Sequence, residues 1–458
     1  MSAMRGNFRM TLLSSRDLFA TAAPFVVFAI ALLAAAYWWL DPTPPRSVVL
    51  ATGQDQGAYA EFGKRYVELL KENGITVHLR TTAGATENIA LLREPGSGVD
   101  IAFVQGGADD ALPAFTDEGD VPDEGQVSLG SLFYEPVWLF YRSDAAERLL
   151  HAPELTSLTQ LAGWRVNIGT PGSGVPSVVN RLLEANRVDP ATLTLLREAQ
   201  TPAVVGLLDG RIDAVVFASA PESLLVQMLL QTPGIRLLHF AQAEAYSRRL
   251  PFLSPVVLPR GVVDLARDVP SADVHLVAPT ATLVARKSTH PALIQLFVQA
   301  AHQVHGSAGW FRSKGEFPNA HNIERPLAKE AQRFYANGPP LLQRYLPFWL
   351  ANLVERMWPV LVTIAAALIP LSRLLPPLYT FRIRSRVFRW YRRLRDVENA
   401  IGQRPNAELL RELETIERHV EQVHVPLSYA DELYSLRTHI HMVAERLIDP
   451  AAAAPKTA

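Results

Sequence analysis

Hydrophobic and polar positions along the chain sort into three patterns. From Leu18 to Leu40 no charge interrupts 23 residues, and a helix needs about 20 to cross a ~30 Å hydrocarbon layer. Met357 to Leu371 is uncharged for 15 residues. It reaches span length if extended on to Phe381, with Arg373 snorkelling to an interface, or back to Phe348, with Glu355 and Arg356 sheltered. Pro359 and Pro370 predict kinks there. Between the two stretches, short apolar runs alternate with helical apolar spacing. After the second, Leu409, Leu410, Leu413, Ile416 and Val420 form one stripe, and Leu433, Leu436, Ile440, Val443 and Leu447 another.

The middle region reads as strand, loop and helix in repetition. Ser47–Thr52 is a strand that runs into a loop from Gly53 to Tyr59, and Phe62, Tyr66, Val67, Leu69 and Leu70 mark the helix face behind it. Ile75–Arg80 is a second strand, followed by the loop Thr81–Asn88 and a helix with Ile89, Leu91 and Leu92 inward. Asp100–Gly107 is a third strand, ending in glycines. Pro113–Gly125 is acidic and turn-rich, a solvated loop. Leu132–Tyr141 reads as one dense apolar strand and the first crossing into another lobe. This alternation predicts α/β lobes with a mainly parallel sheet. In such sheets the ligand crevice lies beyond the carboxyl ends of the strands, where these loops fall.

The second lobe is founded on Arg165–Pro176, a short strand, a loop carrying Gly169, Gly172 and Gly174, and a helix with Val178, Val179, Leu182 and Leu183 on its apolar face. Such a loop leaves the first helix N–H groups facing outward at the positive end of the dipole, which suits a carboxylate or phosphate. Glycines also occur at strand-to-helix turns that bind nothing, so the loop by itself leaves both readings open. A Walker loop is excluded by the missing Gly-Lys-Ser/Thr ending, and the Rossmann spacing is not met. Gly172-Ser173-Gly174 is too tight for a nucleophile elbow. Leu207–Asp213 ends a further helix, Ala214–Ala218 is the next strand, and Ser219-Ala220-Pro221-Glu222 begins another helix.

Charge and composition narrow the chemistry. The formal net charge of −1 argues against a bulk polyanion such as nucleic acid as a partner. With no cysteine there are no disulfides, thiolate metal sites or thiol nucleophiles. His302 and His305 share a helix face without a carboxylate or third histidine near them in sequence, the pattern of surface residues more than of metal ligands. His439 and His441 lie two apart on a helix and face different ways. No Ser, His and Asp set assembles from spacing, so neither an enzyme nor a cofactor site is expected.

Arg5, Arg9 and Arg16 before the first apolar stretch place the N-terminus in the cytoplasm and the residues beyond Leu40 outside. Tyr37, Trp38 and Trp39 sit at the outer interface. Ala34-Ala35-Ala36 would also suit a cleaved signal peptide, but the apolar stretch exceeds the usual ~7 to 15 residues. Asp41–Pro45 makes a stiff exit. Seven arginines from Arg382 to Arg395 come after the second stretch and return the chain to the cytoplasm, where they would hold anionic lipid headgroups of the bilayer. The tail from Val387 to Ile448 is helical, broken near Gly402–Pro405 and at Pro426, and forms a hairpin or short bundle suited to self-association or docking. Residues from Ala451 onward read as disordered.

Taken in order, the loops Thr52–Tyr59 and Gly84–Asn88, the segment Asp100–Gln105, and the stretches Gly163–Gly174 and Asp209–Pro221 resemble the TAXI-type substrate-binding receptors of TRAP transporters over residues 46 to 305. The stretch Phe334–Trp349 is similar to membrane-tethered members of that group. The resemblance implies a two-lobed periplasmic binding fold, a type II-like clamshell. It would close on a small carboxylate, an amino acid or dicarboxylate, and deliver it to TRAP-type permease subunits in the bacterial inner membrane.

The order implied is an N-terminus of residues 1–17, a span at 18–40 and a binding domain at 46–345, then a second span at 348–380, a helical tail at 381–450 and residues 451–458 disordered. Lobe 1 would take about 46–138 and 248–345, and lobe 2 about 139–247. The pocket it implies draws on Gly53, Gln54, Tyr59, Thr86, Glu87, Asn88, Gln105, Gly172, Ser173 and Gly174, with Ser219 and Glu222 near the hinge. Gln56 stands where the family has glycine, and Val175 where it commonly has threonine. The bland alternatives are packing for Tyr59, strand-end pairing for Gln105 and helix capping for Thr86 and Asn88. A rival reading is a sensor or scaffold acting through the tail.

Overall fold

The computed structural model describes residues 2–40, 43–55, 57–109, 125–339, 341–423, 425 and 429–448. The chain divides into two units, Thr43–Leu353 and the residues before and after it. The expectations for Pro113–Gly125 (but for Gly125 itself), Gln56, Pro426 and the segment from Ala451 lie outside the described residues. The chain begins with α1 (Ser2–Leu40), and the central unit then opens with β1 (Ser47–Ala51), α2 (Ala58–Glu72), β2 (Thr76–Arg80), α3 (Ala85–Arg93), β3 (Ile101–Gln105) and β4 (Gln126–Tyr134). A second set comes next: β5 (Val137–Arg142), α4 (Ser143–Leu150), β6 (Arg165–Asn167), α5 (Val175–Ala185), β7 (Thr194–Leu196), α6 (Gln200–Leu208), β8 (Ala214–Ala218), α7 (Leu224–Leu230), β9 (Ile235–Leu237) and α8 (Ala243–Arg249). The chain returns through β10 (Leu253–Leu258), β11 (Val274–Arg286), α9 (Pro291–His305) and α10 (Lys329–Asn337).

These strands make two sheets, one ordered β10-β11-β3-β1-β2 with β4 also on β11, the other β7-β6-β8-β5-β9. This is a two-lobed α/β architecture with one sheet to each lobe. Each sheet is mixed, which corrects the expectation of mainly parallel sheets. β1 runs parallel to β2 and β3, and β6 parallel to β7 and β8. The strands that carry the chain between lobes enter from the opposite end, so β5 is antiparallel to β8, and β11 to β3 and β4.

The run Leu132–Tyr141 is likewise not one strand. It breaks at Glu135-Pro136, so that β4 belongs to the first sheet and β5 to the second. Proline offers no N–H to a ladder and biases the residue before it to an extended conformation, which ends the pairing there.

Each lobe has its own apolar core. Leu50, Phe62, Tyr66, Phe103, Phe133 and Phe297 fill the first, and Trp138, Phe140, Trp164, Val178 and Leu182 the second. β11 serves both, with Leu276, Val277 and Ala278 in the second core and Ala281, Leu283 and Ala285 in the first. His305, read from its spacing as a surface residue, is fully buried against Phe62 and Phe133. Burial holds its imidazole well below its ordinary pKa, with Arg312 and Arg65 acting in the same sense.

In the flanking unit Phe19–Leu40 of α1 is long and apolar enough to cross a membrane, and so is α11 (Phe348–Ser372), which keeps Pro359 and Pro370 within one helix. α12 (Leu375–Asn399) comes directly after it, then α13 (Asn406–Glu421) and α14 (Ala430–Ile448). These three pack as a bundle around Leu394, Leu409, Leu413, Ile416, Leu436 and Ile440. Leu410 and Leu433 of the two sequence stripes lie at its margin. The turn between α12 and α13 carries Gly402 at φ +83°, a left-handed backbone that favours glycine.

Candidate functional site

The ends of β1, β3, β6 and β8 and the β4–β5 break converge on one cavity between the lobes, enclosing about 640 Å³ with its open mouth included. From the first lobe come Gly53 and Gln54 beyond β1, Gly57 to Tyr59 at the head of α2, Gln105 at the end of β3, and Glu135. The second lobe supplies Gly169 and Thr170 beyond β6, Ser173 to Val175 at the head of α5, and Phe217 to Ser219 at the end of β8. Neither α2 nor α5 has a side-chain cap at its N-terminus, and their N-cap residues are Gly57 and Gly174. The first N–H groups of α2 and that of Val175 in α5, where Pro176 offers none, lie at the positive ends of the two dipoles.

The lobes meet directly beside this cavity. The Glu87 N–H, in the first turn of α3, donates to the Gly172 carbonyl at 3.1 Å. The Thr86 hydroxyl donates to the Ser173 carbonyl at 3.1 Å, and Gln54 Nε2 to Thr170 Oγ1 at 3.4 Å. The approach is close enough to require glycine. A Cβ on Gly172 would lie 2.5 Å from the Ala83 Cβ, and one on Gly174 would collide with Gln105 Oε1. Gly84, at φ +140°, lies against the Ser173 backbone and has both reasons to lack a side chain.

Of the residues expected in the pocket, Gly53, Gln54, Tyr59, Gln105, Ser173, Gly174 and Ser219 line the cavity, and Val175 adds an apolar wall. Thr86, Glu87, Asn88 and Gly172 lie outside its lining. The Glu87 carboxylate accepts from the Ala83 N–H at 2.7 Å, closing its own helix start. Asn88 is buried and stitches strand ends together: Nδ2 donates to the carbonyls of Thr52 at 2.5 Å and Phe103 at 2.8 Å, and Oδ1 accepts from the Thr82 hydroxyl at 2.7 Å. Glu222 faces Arg312 at 3.6 Å, away from the cavity. The Ser219 carbonyl accepts from Trp138 Nε1 at 2.9 Å, tying the end of β8 to β5.

The residue that sequence reasoning passed over is Glu135. It sits in the cavity wall at 3% exposure, where one oxygen accepts from the Tyr59 hydroxyl at 2.9 Å. Burial pushes its carboxyl up to about 8, outweighing the Tyr59 hydrogen bond, which pulls the other way. Burial also raises the Tyr59 phenol well above its ordinary value, with Glu135 adding to the effect. Tyr59 is fixed in turn by stacking on Phe103 at 5.0 Å between centroids. Gln105 is 3% exposed, and its Nε2 has no hydrogen-bond partner. No lysine, arginine or histidine among the described residues lines the cavity. The signal that would have found Glu135 is a lone carboxylate before proline inside a ten-residue apolar run.

The model of the NMT1-like family matches residues 50–336. Among solved structures, a protein from Bordetella bronchiseptica RB50 aligns at 15% identity and TM-score 0.39, covering 63% of this chain and 82% of its own. The alkanesulfonate-binding protein SsuA from Xanthomonas axonopodis pv. citri, bound to MOPS, aligns at 12% identity and TM-score 0.37 over 57% of this chain and 73% of its own. MatC from Rhodopseudomonas palustris with bound malate aligns at 16% identity and TM-score 0.37 over 68% and 96%.

Proposed function

The chain belongs to the NMT1-like family, and from that premise we propose that residues 46–345 are a membrane-anchored extracytoplasmic receptor for a small carboxylate. The observation that carries the reading is the cavity itself. Two uncapped helix heads and a buried Gln105 whose Nε2 has no hydrogen-bond partner line one cavity between the two lobes. Backbone N–H groups at a helix head suit a carboxylate. Closure is favoured because only the closed state lets both lobes contact the ligand.

The finer reading is a TAXI-type receptor that passes its ligand to TRAP-type permease subunits. Phe19–Leu40 and α11 serve as two membrane spans, the binding domain faces the periplasm and both termini are cytoplasmic. The arginines of α12 then lie at the inner leaflet, where positive charge is retained.

A thermal-shift screen of the purified protein against amino acids and dicarboxylates tests the binding reading, and stabilisation should rise with ligand concentration. Ser173→Pro removes the Ser173 N–H that donates to Thr170 at 3.0 Å, and should abolish the shift. If it leaves the shift intact, the site lies elsewhere.

A second reading is favoured by one observation, the separate apolar core of α12–α14. A tail with its own core suits a docking or signalling role. Co-purification separates the two: a permease partner supports uptake, and a ligand-dependent change in what the tail binds supports signalling.

A further inference from the structure

A carboxylate pocket built to hold a dianion would be expected to offer a positive side chain, because a buried charge without a partner is expensive. Here the ionisable side chains in the cavity wall are Glu135 and Tyr59, and no cation among the described residues faces them. Tyr59 is the titratable neighbour that acts on Glu135, and the polar side chains that the end of β3 and the residue after β8 add to the same cavity wall are Gln105 and Ser219, neither of them charged. Tyr59 occupies Oε2 of the carboxyl, which leaves Oε1 for the cavity.

A carboxyl that is 3% exposed, oriented by a tyrosine and without a cationic partner, is half of an ion pair. Gln105 Nε2, equally buried and unpartnered, is a donor still lacking its acceptor. Those two groups, together with the uncapped heads of α2 and α5, define complementary ends of one ligand.

We propose that Glu135, held by Tyr59, is an ammonium subsite. The ligand is therefore a zwitterion that seats its amine on Glu135 Oε1 and its carboxylate on Gln105 Nε2 and the helix heads. The inference rests on the receptor reading above and chooses within it, against a dicarboxylate. Because burial favours the neutral carboxyl, an arriving ammonium displaces the carboxyl proton to solvent. One proton leaves for each ligand bound, and no other bond is made or broken.

The test uses the full-length protein in detergent or nanodiscs, with calorimetric titration across pH 6 to 9. The probes are the twenty common L-amino acids, the 2-hydroxy acid matched in side chain to each amino acid that binds, and succinate and malate. The expected result is an amino acid that binds at least tenfold more tightly than its hydroxy acid. Its affinity should rise up to tenfold per pH unit until about pH 8, then level off. Glu135→Gln, which keeps size and hydrogen bonding, should lose at least tenfold in affinity and the pH dependence with it. Tyr59→Phe should keep the pH dependence at reduced affinity.

A hydroxy acid or dicarboxylate binding as tightly as the amino acid overturns the inference but leaves the receptor reading standing. An affinity that falls as pH rises does the same, because a protonated Glu135 would then be donating to an anion. Full amino-acid affinity in Glu135→Gln also overturns it. If no small carboxylate of any kind binds, the receptor reading fails and this inference with it.

Discussion

The hydroxyl of Thr86, in the first turn of α3, donates to the carbonyl oxygen of Ser173 at 3.1 Å and so joins the two lobes across the cleft. The adjacent Glu87 N–H donates to Gly172, so one helix start in the first lobe grips the glycine loop of the second. Thr86→Ala removes the first bond and keeps the second. A net hydrogen bond contributes about 0.5–1.5 kcal/mol, so ligand affinity should fall roughly two- to tenfold, read by calorimetry, while the unliganded melting temperature changes little.

Gly172 tests the same contact by steric means. A Cβ there meets the Ala83 Cβ at 2.5 Å, and the lobes can relieve that clash by separating. Gly172→Val should hold the cleft open, with a larger radius of gyration by small-angle scattering and no added compaction on adding ligand. A profile identical to the native protein would contradict the closed contact.

Asn88 behaves differently because its bonds stay within one lobe. Asn88→Ala takes the amide donor from the Thr52 and Phe103 carbonyls and leaves the Thr82 hydroxyl with its longer bond to the Thr52 carbonyl at 3.2 Å. With each buried unpaired group costing about 1–3 kcal/mol, the domain should lose several degrees of melting temperature whether or not ligand is present.

Glu135 sets a pH dependence of stability whose sign comes from the direction of its shift. The native carboxyl titrates near 8 against an ordinary 4.5, so between those values the native state holds a proton that the unfolded chain has lost. Stability from this group falls as pH rises through that window, by about 3 kcal/mol at pH 7. Glu135→Gln removes the dependence. Unliganded Glu135→Gln should melt several degrees above the native protein at pH 7 to 8 and level with it near pH 4, by calorimetry.

Asp213 carries the opposite sign. It is buried where β8 begins, and pairs with Arg148 at 2.6 Å and Arg165 at 2.8 Å. Burial opposes its charge, but the hydrogen bonds from Arg165 outweigh that and lower its pKa. The stability it contributes is present above its unfolded pKa and is lost as pH falls through the lowered native value. Asp213→Asn should therefore depress the melting temperature at neutral pH, and the gap should close below about pH 3.8.

Periodicity alone determined the α/β class, the strand-glycine-helix units and the two apolar stretches, because burial of one face writes itself into residue spacing. The stripes through Leu409 and Leu436 likewise announced a packed helical tail, and these residues fill its core. What spacing cannot carry is which loop meets which. Thr86 and Ser173 are 87 residues apart, and their meeting depends on how two sheets face each other.

The antiparallel entry of β5 and β11 has the same cause, since strand direction is set by the route between lobes and not by side-chain pattern. His305 spaced like a surface residue and folded into an aromatic core. Glu135 stands unremarked in an apolar run read as one strand, and the break at Pro136 leaves its carboxyl in the cavity wall. Tertiary structure decided the site because its electrostatics come from burial and from Tyr59, 76 residues away in sequence. Local sequence carries neither.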